Sequence, residues 1–249
     1  MSHFEIVAHR GIPNEVPENT LIAYQLAIDL GAEAVEMDVR LTADRVPVIY
    51  HYFYLEEMTS LVGPIFKYTA EELRQVRVAN KARPEITQPI PTLREIMETI
   101  GGKIGLEIEL KGPEPECAGI VAGVLQDYQH FWDMIEITSF EPALLIGIHE
   151  LCPGLATDLL YPRSEPWMKP DVVAYQAFHR TRLAEARAVH LHPTQLSTDV
   201  IFYLRQNRVE IHAWDVNDEE SLQITMQNNI PRLCTDQFIL AYDFRKRYS

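Results

Sequence analysis

Short apolar runs suited to buried strands alternate with helical stretches from one end of the sequence to the other, and no other feature narrows the fold as much. Phe4 to His9 is the first run. Asn19 or Thr20 can cap a helix in which Ala23, Leu26, Ala27 and Leu30 share one face, and Gly31 supplies its stop. Ala34 to Val39 is the second strand, followed by a tight reversal and an arm from Val46 to His51. Thr92 and Glu95 are spaced as a capping box before the stripe Leu93, Ile96, Met97 and Ile100, and the strand IGLEIELK follows. Further strands are expected at Met134 to Thr138, Leu155 to Leu160, Ala188 to Leu191, Val209 to Trp214 and Arg232 to Cys234. Helices near Cys117 to Tyr128, Pro142 to Leu151, Leu196 to Gln206 and Glu219 to Asn228 interleave with them, with a less regular helical region around Pro170 to Phe178. With the arm set aside, eight strands alternate with helices, which predicts an α/β fold, a (β/α)8 TIM barrel. A doubly wound open sheet is the alternative, but no G-x-G-x-x-G follows the first strand.

Tyr52 to Pro91 is too long for an ordinary connection, holds Pro64, Pro84, Pro89 and Pro91, and offers one helical candidate near Ala70 to Val76. Residues 52–89 are therefore expected to form a small insertion after the second strand, a lid or rim over the C-terminal face. No linker divides the 249 residues, so one domain spanning 1–249 is expected.

Polar residues collect where the strands end, which is where a barrel of this kind carries its chemistry. His9 and Arg10 close the first strand. Glu36 and Asp38 share one face of the second, because successive side chains on a strand alternate. A two-residue turn at Asp44-Arg45 would place His51 directly across from Asp38. Glu109 and Lys111 follow on the next strand. Glu36, Asp38 and Glu109 make an all-oxygen site suited to one divalent cation, Mg²⁺, Ca²⁺ or Mn²⁺; the alternative is a set of interior salt bridges with Arg40 and Lys111. His9 and His51 flank these acids with groups that titrate near neutral pH, as a general acid and base would. Arg10 and Lys111 can hold an anion such as phosphate, and Phe140 and Trp214 can line an apolar wall. His190, His192 and His212 show no metal-ligand spacing and read as structural.

The formal net charge of -14 excludes a general nucleic-acid or anionic-membrane binder, since both need a basic face. It also means that an anionic substrate needs local cations to reach the site. Three widely spaced cysteines, Cys117, Cys152 and Cys234, suggest neither a disulfide framework nor a zinc site. The beginning MSHFEIVAHRG has no basic segment followed by a long apolar one, and no run approaches a membrane span, so a cytoplasmic protein without stable membrane insertion is expected. Nothing in the sequence sets the oligomeric state.

These residues closely resemble the glycerophosphodiester phosphodiesterase family, within the phosphatidylinositol-phospholipase-C-like phosphodiesterase barrels. The motifs run in order along nearly the whole chain: HRG at His9 to Gly11, PENT at Pro17 to Thr20, Glu36 with Asp38, PVIYH ending at His51, and PTLRE at Pro91 to Glu95. Glu109 with Lys111, Ser139-Phe140, WDVN at Trp214 to Asn217, and Thr235-Asp236 complete the set. The resemblance implies a divalent cation on Glu36, Asp38 and Glu109, an acid–base pair of His9 and His51, phosphate contacts from Arg10 and Lys111, and cleavage of small glycerophosphodiesters to sn-glycerol 3-phosphate and an alcohol. It implies too a nucleophile drawn from the neighbouring glycerol hydroxyl, with His9 the expected base and His51 the expected acid. A lysophospholipase D-like enzyme and a phosphate-binding barrel without turnover are the alternatives. Two positions depart from the family pattern: Tyr52 stands where Asp is usual, and Arg45 where the turn usually has Gly. The segment NNIPRLCTD also lacks the glycines common before TD.

Overall fold

The computed structural model describes residues 4–80 and 83–248. Residues 1–3, at the start of the stretch read as leaderless, Lys81 and Ala82 in the insertion, and Ser249 lie outside the described residues. Eight parallel strands close into a barrel: β1 (Glu5–Ala8), β2 (Ala34–Leu41), β6 (Gly105–Leu110), β7 (Ile135–Ser139), β8 (Ala156–Leu160), β9 (Ala188–Leu191), β10 (Glu210–Ala213) and β11 (Arg232–Thr235). Closure is made by β1, which pairs with β11 over Glu5 to Ala8 and with β2 at Val7 and Ala8. The missing glycines before TD therefore cost the eighth barrel strand nothing.

Helices α1 (Leu21–Asp29), α3 (Leu93–Ile100), α4 (Cys117–Leu125), α5 (Pro142–Leu151), α6 (Pro170–Leu183), α7 (Thr198–Gln206), α8 (Glu219–Gln227) and α9 (Phe238–Tyr248) follow the barrel strands. None of the described helices is long and apolar enough to cross a membrane. The alternation along each strand explains the layering. Val35, Met37 and Val39 on β2 and Leu106, Ile108 and Leu110 on β6 join the buried apolar core with Ile96, Val121 and Leu145 of the helices. Their neighbours Glu36, Asp38, Glu107 and Glu109 are buried as well, but on the opposite face. The barrel interior is thus largely polar, where many barrels fill it with branched apolar side chains.

Several local expectations change. The capping box at Thr92 and Glu95 forms in both directions. Thr20 precedes α1, yet its hydroxyl donates to the Pro17 carbonyl and no side chain caps the helix. α6 is a regular helix of 14 residues, and α9 closes the chain where no helix was expected.

The reversal after β2 is not the two-residue turn expected. Thr42 N–H donates to Val46 O and Arg45 N–H to Thr42 O, which leaves a three-residue loop with Arg45 in the left-handed region at φ 64°. Three-residue hairpin loops end in such a residue, so a position usually given to Gly has a conformational reason. The added residue shifts the pairing with β3 (Pro47–Ile49) by one: Val39 faces Ile49, and Tyr50 N–H donates to Asp38 O. Tyr50, not His51, lies across from Asp38. A one-residue slip would turn His51 away from the interior if the strand continued. It ends at Ile49, however, and Arg40 Nε–H donates to the His51 carbonyl at 2.8 Å to fix the chain where it leaves the ladder.

The insertion then runs through two 3-10 turns at Leu55–Glu57 and Ile65–Lys67, the short α2 (Ala70–Leu73) and an unforeseen hairpin of β4 (Arg77–Ala79) and β5 (Thr87–Pro89). It has its own apolar cluster, in which Leu55, Ile65 and Leu73 pack with Tyr50 and Val48. Asn80 Nδ2–H donates to the Pro13 carbonyl, tying the insertion to the loop after β1.

Candidate active site

The HRG turn puts the first groups in place. Arg10 and Gly11 both take positive φ, 56° and 87°, and a Cβ on Gly11 would lie 2.6 Å from Ala23, so the turn needs Gly to lie flat on α1. Arg10 N–H donates to Glu36 Oε2, Arg10 Nε lies 3.2 Å from Asp38 Oδ2, and its Nη1 lies 2.9 Å from Glu18 Oε1. The PENT motif is the support for this arrangement: Glu18 holds Arg10, and Asn19, at φ 57°, donates from Nδ2 to Asp38 Oδ2 at 2.7 Å. Asn19 Oδ1 in turn accepts from Tyr24 O–H and from Asp38 N–H. Reading Asn19 as a helix cap missed this, because the composition suits both uses.

Ligand oxygens of Glu36, Asp38 and Glu109 lie within 4.8 Å of one another, brought together by the register that sets Asp38 beside Glu109 on paired strands. Lys111 Nζ reaches Asp38 Oδ1 at 3.3 Å and Glu109 Oε1 at 2.9 Å. Arg40, offered as an alternative partner for the acids, instead bonds backbone carbonyls of His51 and Gly112 and stacks on Phe53 at 3.9 Å. The three carboxylates therefore share Arg10, Lys111 and, on the Glu36 side, His9 at 3.7 Å, with Glu18 also drawing on Arg10. Glu36 Oε1 is buried and without a hydrogen-bond partner among the described residues, which is costly unless a cation takes it. The donor set is all oxygen and fits Mg²⁺, Ca²⁺ or Mn²⁺.

Protonation follows from these neighbours. Burial, then the Asp38 charge, pushes Glu36 well above the usual carboxylate range, and burial also raises Glu109. Burial works against the Asp38 charge too, but Lys111 and Arg10 hold it well below that range. For His9, burial opposes the cation and is outweighed by Glu36 and Asp236, which raise it to about 9. His51 goes the other way: burial, helped by Arg10 and Lys111 and resisted by Asp38, lowers it to about 3.

His9 owes its orientation to a residue that carried no assigned role in the sequence. Its Nδ1 lies 2.6 Å from Asp236 Oδ1, leaving Nε2 directed toward Glu36 at 3.7 Å. Asn217 of the WDVN motif donates to Asp236 Oδ2 and accepts from Asp236 N–H, fixing the carboxylate. Ser139 O–H donates to the Leu110 carbonyl, and Trp214 Nε1–H to the Tyr161 carbonyl, so Phe140 and Trp214 meet edge to face at 5.8 Å. All nine residues singled out in the sequence border this region; eight of them, every one but the fully buried Asp38, line a cavity of about 370 Å³. On a continuing strand Tyr52 would point away from the side that His51 faces. With the strand ended it lies beside His51, ring centroids 4.7 Å apart, and under the Arg10 guanidinium, at the edge of an adjoining groove with Glu18 and Asn80.

Comparison with known proteins places this geometry. A sequence profile described as the glycerophosphoryl diester phosphodiesterase family matches residues 9–239. A putative glycerophosphodiester phosphodiesterase of Bacillus subtilis is 30% identical over 93% of each chain, and a glycerophosphodiester phosphodiesterase of Caldanaerobacter subterraneus is 29% identical over 93% of each. Among solved structures, a phosphodiesterase of Oleispira antarctica in complex with the product sn-glycerol-3-phosphate superposes with a TM-score of 0.83, at 26% identity over 97% of this chain and 96% of that one. A putative glycerophosphoryl diester phosphodiesterase of Silicibacter pomeroyi, 21% identical, shares the fold with a TM-score of 0.84 over 99% of this chain and 94% of that one.

Proposed function

Because the chain belongs to the glycerophosphoryl diester phosphodiesterase family, and is an enzyme of that class, we propose that it hydrolyses small glycerophosphodiesters to sn-glycerol 3-phosphate and an alcohol with the help of one divalent cation. The observation that carries the proposal is the convergence of two histidines, three carboxylates and two cations on one cavity. Glu36, Asp38 and Glu109 would hold the cation, which when bound supplies Lewis-acid stabilisation of charge on the phosphoryl oxygens.

Arg10 and Lys111 offset the acidic background and hold phosphate oxygens through charge-assisted hydrogen bonds. In this reading His51, neutral, accepts the proton of the attacking hydroxyl, and His9, protonated and steadied by Asp236, donates to the departing alcohol oxygen. That reverses the expected order of the two histidines, on the strength of their opposite surroundings. Attack by the neighbouring glycerol hydroxyl forms one P–O bond as the bond to the alcohol breaks; water then opens the cyclic phosphate. Phe140 and Trp214 supply the apolar wall. Residues 52–89 act as the cover of the C-terminal face, within one domain.

A lipid-bearing diester is the second reading, favoured by Phe53, Tyr54, Val62 and Phe66, which stand exposed on the insertion. Assaying chelated enzyme with Mg²⁺, Ca²⁺ and Mn²⁺ on glycerophosphocholine, glycerophosphoethanolamine and lysophospholipids, with detection of glycerol 3-phosphate from the first two and of acylglycerol 3-phosphate from the last, separates the two. Release of the phosphate monoester only from lysophospholipids would favour the lipid reading; no release from any diester would favour a binding protein.

A further inference from the structure

Beneath the catalytic cavity the barrel floor holds a second cluster: Glu136 from β7, Asp158 from β8, His190 from β9 and His212 from β10, all buried, with ligand atoms within 4.8 Å of one another. Around His190 Nε2 stand Asp158 Oδ2 at 3.3 Å, Glu136 Oε1 at 3.3 Å and His212 Nδ1 at 3.1 Å. Asp158 Oδ2 is also 3.3 Å from His212 Nδ1. One ring N–H cannot serve three such neighbours. Glu136 Oε1 accordingly has no hydrogen-bond partner among the described residues, although its side chain is more than nine-tenths buried and aimed at the cluster centre.

We propose that this floor cluster is a closed structural site for a four-coordinate transition-metal dication of the Zn²⁺ class, distinct from the all-oxygen site above it. Metal–ligand distances of about 2.0–2.1 Å in a tetrahedron put ligand atoms roughly 3.4 Å apart, close to the spacings around His190. Two imidazole nitrogens and two carboxylate oxygens are donors that favour Zn²⁺ over Mg²⁺ or Ca²⁺. The outer nitrogens are arranged to match. Glu210 Oε1 lies 3.0 Å from His212 Nε2, and Glu107 Oε1 lies 3.6 Å from His190 Nδ1, so each imidazole has a carboxylate behind it and its other nitrogen turned inward. Arg187, on Glu136 and Asp158, and Arg232, near Glu107 and Glu136, are the only cations in contact among the described residues. Glu107, Glu136, Asp158 and Glu210 thus stand around the two histidines with only these two guanidinium groups, and Arg232 is shared with Glu5, so the cluster carries an excess of negative charge for a cation to offset. Arg187, about half exposed at the N-terminal end, covers Glu136 and Asp158 from the outside.

Cobalt(II) tests the site in the intact protein, since four-coordinate Co²⁺ with mixed nitrogen and oxygen ligands has intense visible bands and six-coordinate Co²⁺ on oxygen has weak ones. Chelator-stripped wild type titrated with Co²⁺ should gain intense bands at about one equivalent. The double variant Glu36→Gln, Asp38→Asn should keep them, and His212→Gln should lose them. Should His212→Gln fail to fold, Glu210→Gln, on a half-exposed side chain, should still weaken Co²⁺ affinity roughly 10- to 100-fold. Folded wild type that saturates with weak bands only, or unchanged affinity in Glu210→Gln, would overturn the proposal and leave the cluster closed by protons on the imidazoles.

Discussion

The mouth and the floor of this barrel are built from the same residue types, yet they are set up for different ends. At the mouth, Glu36 and Glu109 open onto a cavity, His9 is partly exposed, and His51 Nδ1 and Glu36 Oε1 have no hydrogen-bond partner among the described residues. At the floor the four ligand groups are sealed, and a carboxylate stands behind each histidine. Glu107 sits between, lining the cavity while facing His190. Both clusters keep a buried oxygen without a hydrogen-bond partner among the described residues, Glu36 Oε1 at the mouth and Glu136 Oε1 at the floor, so access to a cavity is what makes a charged cluster a catalytic candidate.

The sharpest way to break this comparison is to remove the histidines of the mouth. His9→Ala and His51→Ala should each reduce turnover by roughly 10² to 10⁴ with the thermal midpoint little changed. Near-normal turnover in either would make that histidine structural. At the floor the effects should exchange places: Asp158→Ala should cost about 3–5 kcal/mol of stability by leaving Arg187, His190 and His212 without their shared carboxylate, while molecules that stay folded keep their turnover. Denaturant titration alongside kinetics reads both. A fall in turnover with no loss of stability would put the floor in the chemistry.

Smaller effects sharpen the mouth itself. Asp236 raises His9, so Asp236→Asn lowers it; with His9 as the acid, the alkaline limb of the rate profile should move to lower pH while the acid limb stays. An alkaline limb that does not move would detach Asp236 from the proton transfer. The least effect is expected of Tyr52→Phe, less than about tenfold in turnover or roughly 1.4 kcal/mol of barrier, since its ring lies beside Arg10 and His51 at the edge of the groove. A loss as large as that of His51→Ala would make Tyr52 a catalytic residue.

Much of the barrel was legible because each strand shows an apolar face to the helices, as Val35, Met37 and Val39 do, and because polar residues at strand ends have few other reasons to be there. Groups close in sequence were read together. Those that meet only through closure were not: Asp236 reaches His9 across the β1–β11 seam, and the floor ligands come from four strands with no common spacing. Registers depend on backbone conformation that composition does not display. Arg45 in the left-handed region lengthened the hairpin loop by one residue, and His51 reached the site because its strand stopped and Arg40 caught its carbonyl. Asn19 suited a helix cap and an acid's hydrogen-bond partner equally, and the needs of buried Asp38 decided between them.

Divalent-ion dependence of glycerol 3-phosphate release tests the central claim most directly. Enzyme stripped by chelation should release none from glycerophosphocholine or glycerophosphoethanolamine, and Mg²⁺, Ca²⁺ or Mn²⁺ should restore release in wild type but not in Glu36→Gln. Full turnover by metal-free enzyme, or restoration in Glu36→Gln equal to that of wild type, would contradict the assignment of the mouth as a metal-assisted diesterase site.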